Sequence, residues 1–293
     1  MHARLARRHC LGLGVTCRGM TSPTPDFAAT DAVAQDLLAS WDDYANQATI
    51  TTKGKSVPQV ILSLGLALHV HRLARPAFDM LRQERVLESV PTLRAMFEAA
   101  VTAHWVVQVP DAADGFAVKD RRRRRALLDA MHDMGPDFFG RDEHRQAIAE
   151  LDAITIPGGG ASARFEDICN DLNPPQMFLY SQYRLLSQMT HPSDLVMDSY
   201  FQEIDRPPGL ARLTPPKQPH RNGLAAFGLA SLIWAGHAVE YSNPNRERRQ
   251  TLRDAATTLA ISPTLTATSS AMARQSKAAR QRAAAKKAAR SSR

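Results

Sequence analysis

The sequence predicts an all-α fold, a helical bundle, and three observations carry that prediction. Apolar residues recur at helical spacing over most of the body. The segments that keep this period span roughly 12–22 residues and are separated by short, proline- and glycine-marked connections, as in a helical bundle. No alternating apolar run is long enough to predict a strand, and nothing repeats at a fixed period.

Taken in order, the first helix is predicted over Asp31–Gln47, with Val33, Leu37, Leu38 and Trp41 facing inward and Thr30 near the N-cap. Thr51–Ser56 reads as a polar linker. A long apolar helix starts at Val57-Pro58 and runs to about Leu73, where Pro76 is expected to restart or kink it. Phe78–Gln83 is a short helix, and Val86–Gln108 a long one that tolerates Pro91 close to its start. Val109-Pro110-Asp111 breaks the chain before Ala112–Met134, which Gly135-Pro136 ends. Arg141–Ala153 follows, then the loop Ile156–Gly160 and a short helix over Ala163–Asn170. Pro174-Pro175 introduces a helix over Gln176–His191, stopped by Pro192 because the residue before a proline avoids the α region. Arg206–Gly209 and Pro215–Pro219 bound a loop before the apolar helix Asn222–Tyr241. Arg246–Leu259 is the last helix.

The net charge is +8, but its distribution matters more than its sum. Residues 271–293 carry eight basic side chains and no acid, and residues 1–19 carry four arginines and no acid. Removing +8 and +4 from the total leaves the body at −4, so the basicity belongs to the ends. Residues 1–24 read as a disordered leader, with Met20 opening a more ordinary start. Residues 25–260 read as one helical-bundle domain. Residues 261–293 read as a disordered basic tail, whose stretch from Ser276 to Arg293 is low in complexity and without large apolar residues. Such a tail suits RNA or another polyanion, though a solubilising tail with incidental polyanion affinity is the favoured reading.

Of three cysteines, Cys10 and Cys17 lie in the leader and Cys169 stands alone in the body, which excludes a disulfide framework and a thiolate metal site. Mean hydropathy is −0.31. Asn222–Glu240, with its His237 and glycines, reads as a core helix and not a membrane span. A cytoplasmic protein with no membrane partner is expected.

One stretch concentrates chemistry. Tyr180, Arg184, Ser187 and His191 are spaced by four, three and four, which would put them on one face of a single helix. His191 would then sit at a helix C-terminus, where free carbonyls favour the imidazolium, and histidine is the natural general acid or base near neutral pH. Arg184 would offer a planar fork of donors to a phosphate, with Ser187 orienting either group. From spacing alone, the favoured reading of the same stripe is a set of interhelical hydrogen bonds. On the earlier apolar helix, Arg94 and Glu98 form an i, i+4 pair among Leu93, Met96 and Phe97, to be read as a site or as a strut.

Other charge-bearing features lead nowhere specific. Arg121–Arg125 point all round a helix between Asp120 and Asp129, as a solvated face does. His69, His71, Glu84, Glu88, Glu98 and His104 contain neither Glu-x-x-His nor His-Glu-x-x-His, and His69 and His71 fall on different faces. No metal and no cofactor are expected, and Gly158–Gly160 lacks the Lys-Ser/Thr of a phosphate loop.

The pairing of an Arg-x-x-x-Glu helix with a later Tyr-x-x-Leu-Ser-x-x-x-His-Pro-Ser helix resembles a family of bacterial proteins known as a domain of unknown function. The matching residues are Arg94 and Glu98, then Tyr183, Leu186, Ser187, His191 and Ser193, and the resemblance spans roughly Val57–Tyr241. More remotely, the later helix resembles the HEPN superfamily of helical nucleases and toxins, whose motif is an Arg, four to six residues, and a His near a helix end. That resemblance implies a metal-independent ribonuclease or toxin-type defence protein acting on RNA across a homodimer interface. It makes His191 the base or acid for attack by a ribose 2′-hydroxyl and Arg184 the stabiliser of the phosphorane, with Arg94, Glu98, Tyr183 and Ser187 supporting. The position after the Arg, commonly Asn there, is Leu185 here. The alternative is a non-catalytic helical binding or interaction module in which the same residues form a buried structural network.

Overall fold

A computed structural model describes residues 25–273 except 48–55, 110, 136, 138, 155–163, 173–177, 205–209, 214, 217 and 244. The leader, the basic tail from residue 274 onward, the loop at 156–160, Pro174-Pro175 and Arg206–Gly209 therefore lie outside the described residues. The main helices among those described are α1 (Phe27–Gln47), α2 (Val57–Arg82), α3 (Val86–Gln108), α4 (Ala112–Asp133), α5 (Arg141–Ala153), α6 (Phe165–Leu172), α7 (Leu179–Gln188), α8 (Asp194–Tyr200), α9 (Arg221–Glu240) and α10 (Arg249–Thr258), and a further helical segment covers 269–273. The protein is an all-α bundle.

Helix α3 is its axis. Apolar almost all round, it is flanked by α2, α9, α6 and α7, which is how such a helix hides every face. Phe97 sits at the centre, meeting Phe165, Phe227 and Trp234 edge-on at 6.0–6.4 Å between ring centroids. The start of α2 is fixed by a reciprocal cap. Gln59 N–H donates to Ser56 Oγ and Ser56 N–H donates to Gln59 Oε1, while Gln59 Nε2 reaches across to the Val106 carbonyl at 3.0 Å.

Several boundaries differ from the sequence reading. Helix α1 begins before Asp31, because Asp26 Oδ1 accepts from the Ala29 N–H at 2.8 Å and so caps an earlier turn; Thr30 is interior and buried. Helix α2 runs unbroken through Pro76. The missing hydrogen bond at that proline is outweighed by the burial of Ala74, Ala77, Phe78 and Leu81 around it. The expected loop after α8 contains a short antiparallel hairpin, β1 (Phe201–Ile204) with β2 (Leu210–Leu213), registered Phe201↔Leu213. Its strands are too short to show a period in sequence.

Residues 261–273, assigned to the tail by composition, pack on the bundle. Leu265 and Ala271 are buried, Trp234 Nε1 donates to the Ser262 carbonyl, and Gln108 both donates to the Leu265 carbonyl and accepts from the Ala267 N–H. Two described helices, α2 and α9, are long and apolar enough to cross a membrane by length and composition. The apolar window of α9 is 78% buried inside the bundle and that of α2 39%.

Candidate functional site

The Arg-x-x-x-Glu pair and the Tyr-x-x-Leu-Ser segment meet. α7 lies against α3, with Leu179 and Leu186 fully buried at its inner edge. Tyr183 falls between them in the i, i+4, i+7 row, and Ser187 lies at its border. From α3, Arg94 reaches both. Its Nε donates to Ser187 Oγ at 2.9 Å and its Nη2 donates to Tyr183 Oη at 2.5 Å, while Glu98 Oε2 stands 3.7 Å from Nη2. The guanidinium carbon also sits 4.8 Å from the centre of the Tyr183 ring. One planar group thus clamps two residues one turn apart on the neighbouring helix, a geometry that suits the fork of arginine and not a lysine.

The clamp is half-buried. Side-chain exposure is 22% for Arg94 and 34% for Glu98, so the ion pair keeps contact with water and neither charge is stranded. Behind it, Tyr183 leans on Phe165 of α6 at 4.4 Å, and Tyr180 stacks loosely beyond it at 6.2 Å. α6 is itself fastened to α3, because Trp105 Nε1 donates to Asp171 Oδ2 at 3.0 Å. Cys169, buried in the same layer, has its thiol pushed up to about 12 by burial, reinforced by Glu98 and Glu166, which makes it an inert core residue at neutral pH.

Arg184 and His191 are placed differently. The helix closes at Gln188, so His191 stands beyond its end and the predicted face Tyr180–Arg184–Ser187–His191 does not form. Arg184 lies about 100° round from Tyr183 and is exposed, away from the clamp. His191 is exposed as well. Among the described residues, the side chains of Arg184 and His191 make no hydrogen bond or ion pair.

The early stop has a local cause. Thr190 and His191 N–H groups both return to the Ser187 carbonyl, and Thr190 Oγ1 donates to the Leu186 carbonyl. Ser193 then turns the corner: its Oγ donates to the Gln188 carbonyl at 2.6 Å and accepts from the Val196 N–H at 3.3 Å. One hydroxyl ends α7 and caps α8, a helix the sequence reading missed although Ser-Asp after Pro192 is an N-terminal signal.

The remaining charged candidates are dispersed. His69 is exposed and His71 buried, stacked on Trp41 at 3.9 Å. Within the arginine run, Arg124 pairs with Asp120 and Arg125 with Asp152, both pairs in solvent. Among the described residues no three His, Cys, Asp or Glu side chains converge as metal ligands do.

Fold and site define a helical protein in which one arginine clamps the motif-bearing helix to the core. Residues 60–207 match DUF5677, a family of unknown function, and the chain belongs to that family. The matched span contains Arg94, Glu98, Tyr183, Arg184, Ser187 and His191. No curated protein and no solved structure matches the chain.

Proposed function

We propose that the protein is a HEPN-like, metal-independent ribonuclease or toxin-type defence protein of the cytoplasm, with Arg184 and His191 as the RNA-facing pair. The observation that supports this reading is a division of labour along one segment. Arg94, Glu98, Tyr183 and Ser187 are engaged with one another and hold α7 in place. Arg184 and His191, carried by that held segment, are exposed and have no side-chain partner among the described residues. In this reading His191 moves the proton of a ribose 2′-hydroxyl and Arg184 neutralises the phosphorane. A second copy of the chain completes the site, and the basic tail holds the polyanion.

A second reading is favoured by the helix ending at Gln188, which leaves Arg184 and His191 without a shared helical frame. The protein is then a non-catalytic binding module, and the clamp is purely structural. RNA cleavage and cell toxicity, compared among wild type, His191→Ala and Arg184→Ala with folding checked by circular dichroism, separate the two. Loss of both activities in both variants supports the nuclease; equal cleavage by wild type and His191→Ala leaves only the binding module.

A further inference from the structure

The far end of α9 holds a second concentration of polar groups, unrelated to the clamp and outside the span that matches the family. A cavity of about 130 Å³ lies between the end of α9, the start of α10 and the segment after it, lined by His237, Glu240, Tyr241, Arg246, Arg249 and Thr264. It has room for several waters or a small polyatomic ion.

Two of its lining side chains are incompletely satisfied. His237 and Glu240 are each only 3% exposed, yet His237 Nε2 and Glu240 Oε2 are buried without a hydrogen-bond partner. A buried donor or acceptor left unpaired bears the full penalty of leaving water, heavier still for a charged group, so such atoms in a cavity wall call for something to fill them. The other carboxylate oxygen of Glu240 accepts a long hydrogen bond from Asn243 Nδ2 at 3.4 Å.

The charge around the cavity is positive. Arg246 and Arg249 line it, and neither has an acidic partner among the described residues. Arg249 is also the first residue of α10, so the positive end of that helix dipole lies beside the same space. Burial first, then Arg249, Arg253 and Arg248, hold the His237 imidazole down to about 4, so at neutral pH it is a neutral donor or acceptor and not a competing cation. Arg246 takes a left-handed φ of 52°, a conformation that a non-glycine residue adopts at a cost.

This set of groups is selective. Two arginines and a helix start call for an anion; a carboxylate oxygen in the same wall repels one unless the anion brings its own proton. Hydrogen phosphate keeps a P–O–H at neutral pH, and a phosphomonoester keeps one in its singly charged form (second pKa about 6); that group can donate to Glu240 Oε2 while the other oxygens accept from the arginines and His237. Sulfate at neutral pH has no such proton. We propose that the cavity between α9 and α10 is a binding site for a small phosphoryl anion, recognised by Arg246, Arg249 and His237 as donors and by Glu240 as acceptor. It is independent of the ribonuclease reading, since none of its residues lies on α3 or α7.

Titration calorimetry on the full chain tests it with three probes: inorganic phosphate, glycerol phosphate and sulfate. Either phosphate compound should bind at least tenfold more tightly than sulfate; the tighter of the two identifies the free anion or a monoester as the occupant. Arg249→Ala, at a partly exposed position, should weaken phosphate binding at least tenfold with the fold intact by circular dichroism. Glu240→Gln, which keeps the shape and can donate as well as accept, should narrow the phosphate-to-sulfate ratio toward one. Should Glu240→Gln destabilise the fold, the Arg249→Ala arm and the sulfate comparison in wild type remain decisive. No heat with either phosphate compound, equal affinity for phosphate and sulfate in wild type, or unchanged phosphate binding in Arg249→Ala would each overturn the assignment.

Discussion

Arg94 Nε donates a hydrogen bond to Ser187 Oγ at 2.9 Å across 93 positions of sequence, and that contact joins the two halves of the motif. Hydrogen bonds from a charged donor contribute roughly 1.5–3 kcal/mol when partly shielded from water. Arg94 makes two to α7, so Arg94→Ala should destabilise the protein by about 2–4 kcal/mol, including its lost packing on Tyr183. Arg94→Lys should recover less than half, because an ammonium cannot reproduce the fork. Urea denaturation measures both, and a double-mutant cycle with Ser187→Ala should give a coupling of about 0.5–2 kcal/mol. A coupling of zero would mean that the two helices are held by apolar packing alone.

Tyr183 isolates the other arm. Tyr183→Phe keeps the ring against Phe165 and beneath the guanidinium and removes only the hydroxyl that accepts from Arg94. The expected cost is about 1–2 kcal/mol, smaller than that of Arg94→Ala. Tyr183→Leu should cost more, because it also loses the aromatic contacts. If Phe were as damaging as Leu, the hydroxyl would carry the whole role of the residue.

Much of this was legible in sequence, for identifiable reasons. The helical period of Val86–Gln108 is strong, so α3 and its Arg94–Glu98 pair fell where they were expected. The paired motif named both helices, but that they meet through Arg94 came from the structure, since no period within either segment encodes which helices touch. The stripe on α7 failed for a physical reason. Spacing by four, three and four places residues on a common face only while the helix lasts, and hydroxyls of Thr190 and Ser193 return to α7's carbonyls and close it first. Pro192 signalled a stop, but its rule bounds the helix to within a few residues and not to Gln188. The cavity beyond α9 left no sequence signature, because His237, Glu240, Arg246 and Arg249 come together through the turn between two helices.

Gly228 on α9 marks a close approach of that helix to α2 and α3. A Cβ there would meet Phe78 Cε2 at 2.9 Å and Leu93 Cδ2 at 3.0 Å, side chains that are themselves fully buried. Alanine gains up to about 1 kcal/mol of helix propensity over glycine, whereas overpacking a tight core costs about 1–3 kcal/mol. Packing wins, so Gly228→Ala should lower the thermal midpoint. The exposed Gly65, where an added Cβ would meet nothing within 4 Å, is the control, and Gly65→Ala should leave stability unchanged or raise it. Equal effects at the two sites would show that the core yields at Gly228.

Three buried histidines set how the bundle responds to acid. Burial holds His71 and His104 down to about 3 and His237 to about 4, against an ordinary value of 6.5 in the unfolded chain. Arg248 and Arg75 add to the effect at His71, His237 at His104, and Arg249, Arg253 and Arg248 at His237. Above pH 6.5 both states are neutral at these positions and the full stability is present. As pH falls from 6.5 toward 4, the unfolded chain takes up protons that the folded state refuses. Stability then declines by up to about 1.4 kcal/mol per pH unit for each histidine. Glu240 bends the other way. Burial raises its carboxyl, so its contribution is present at low pH and is lost as pH rises through its folded value. The histidines outnumber it, and urea midpoints measured from pH 7.5 to 4.5 should fall steeply below 6.5. His104→Gln should flatten that slope by about one proton's worth, whatever it does to stability at pH 7.5, because it removes one of the three refused protons. An unchanged slope in that variant would mean that His104 is protonated in the folded bundle.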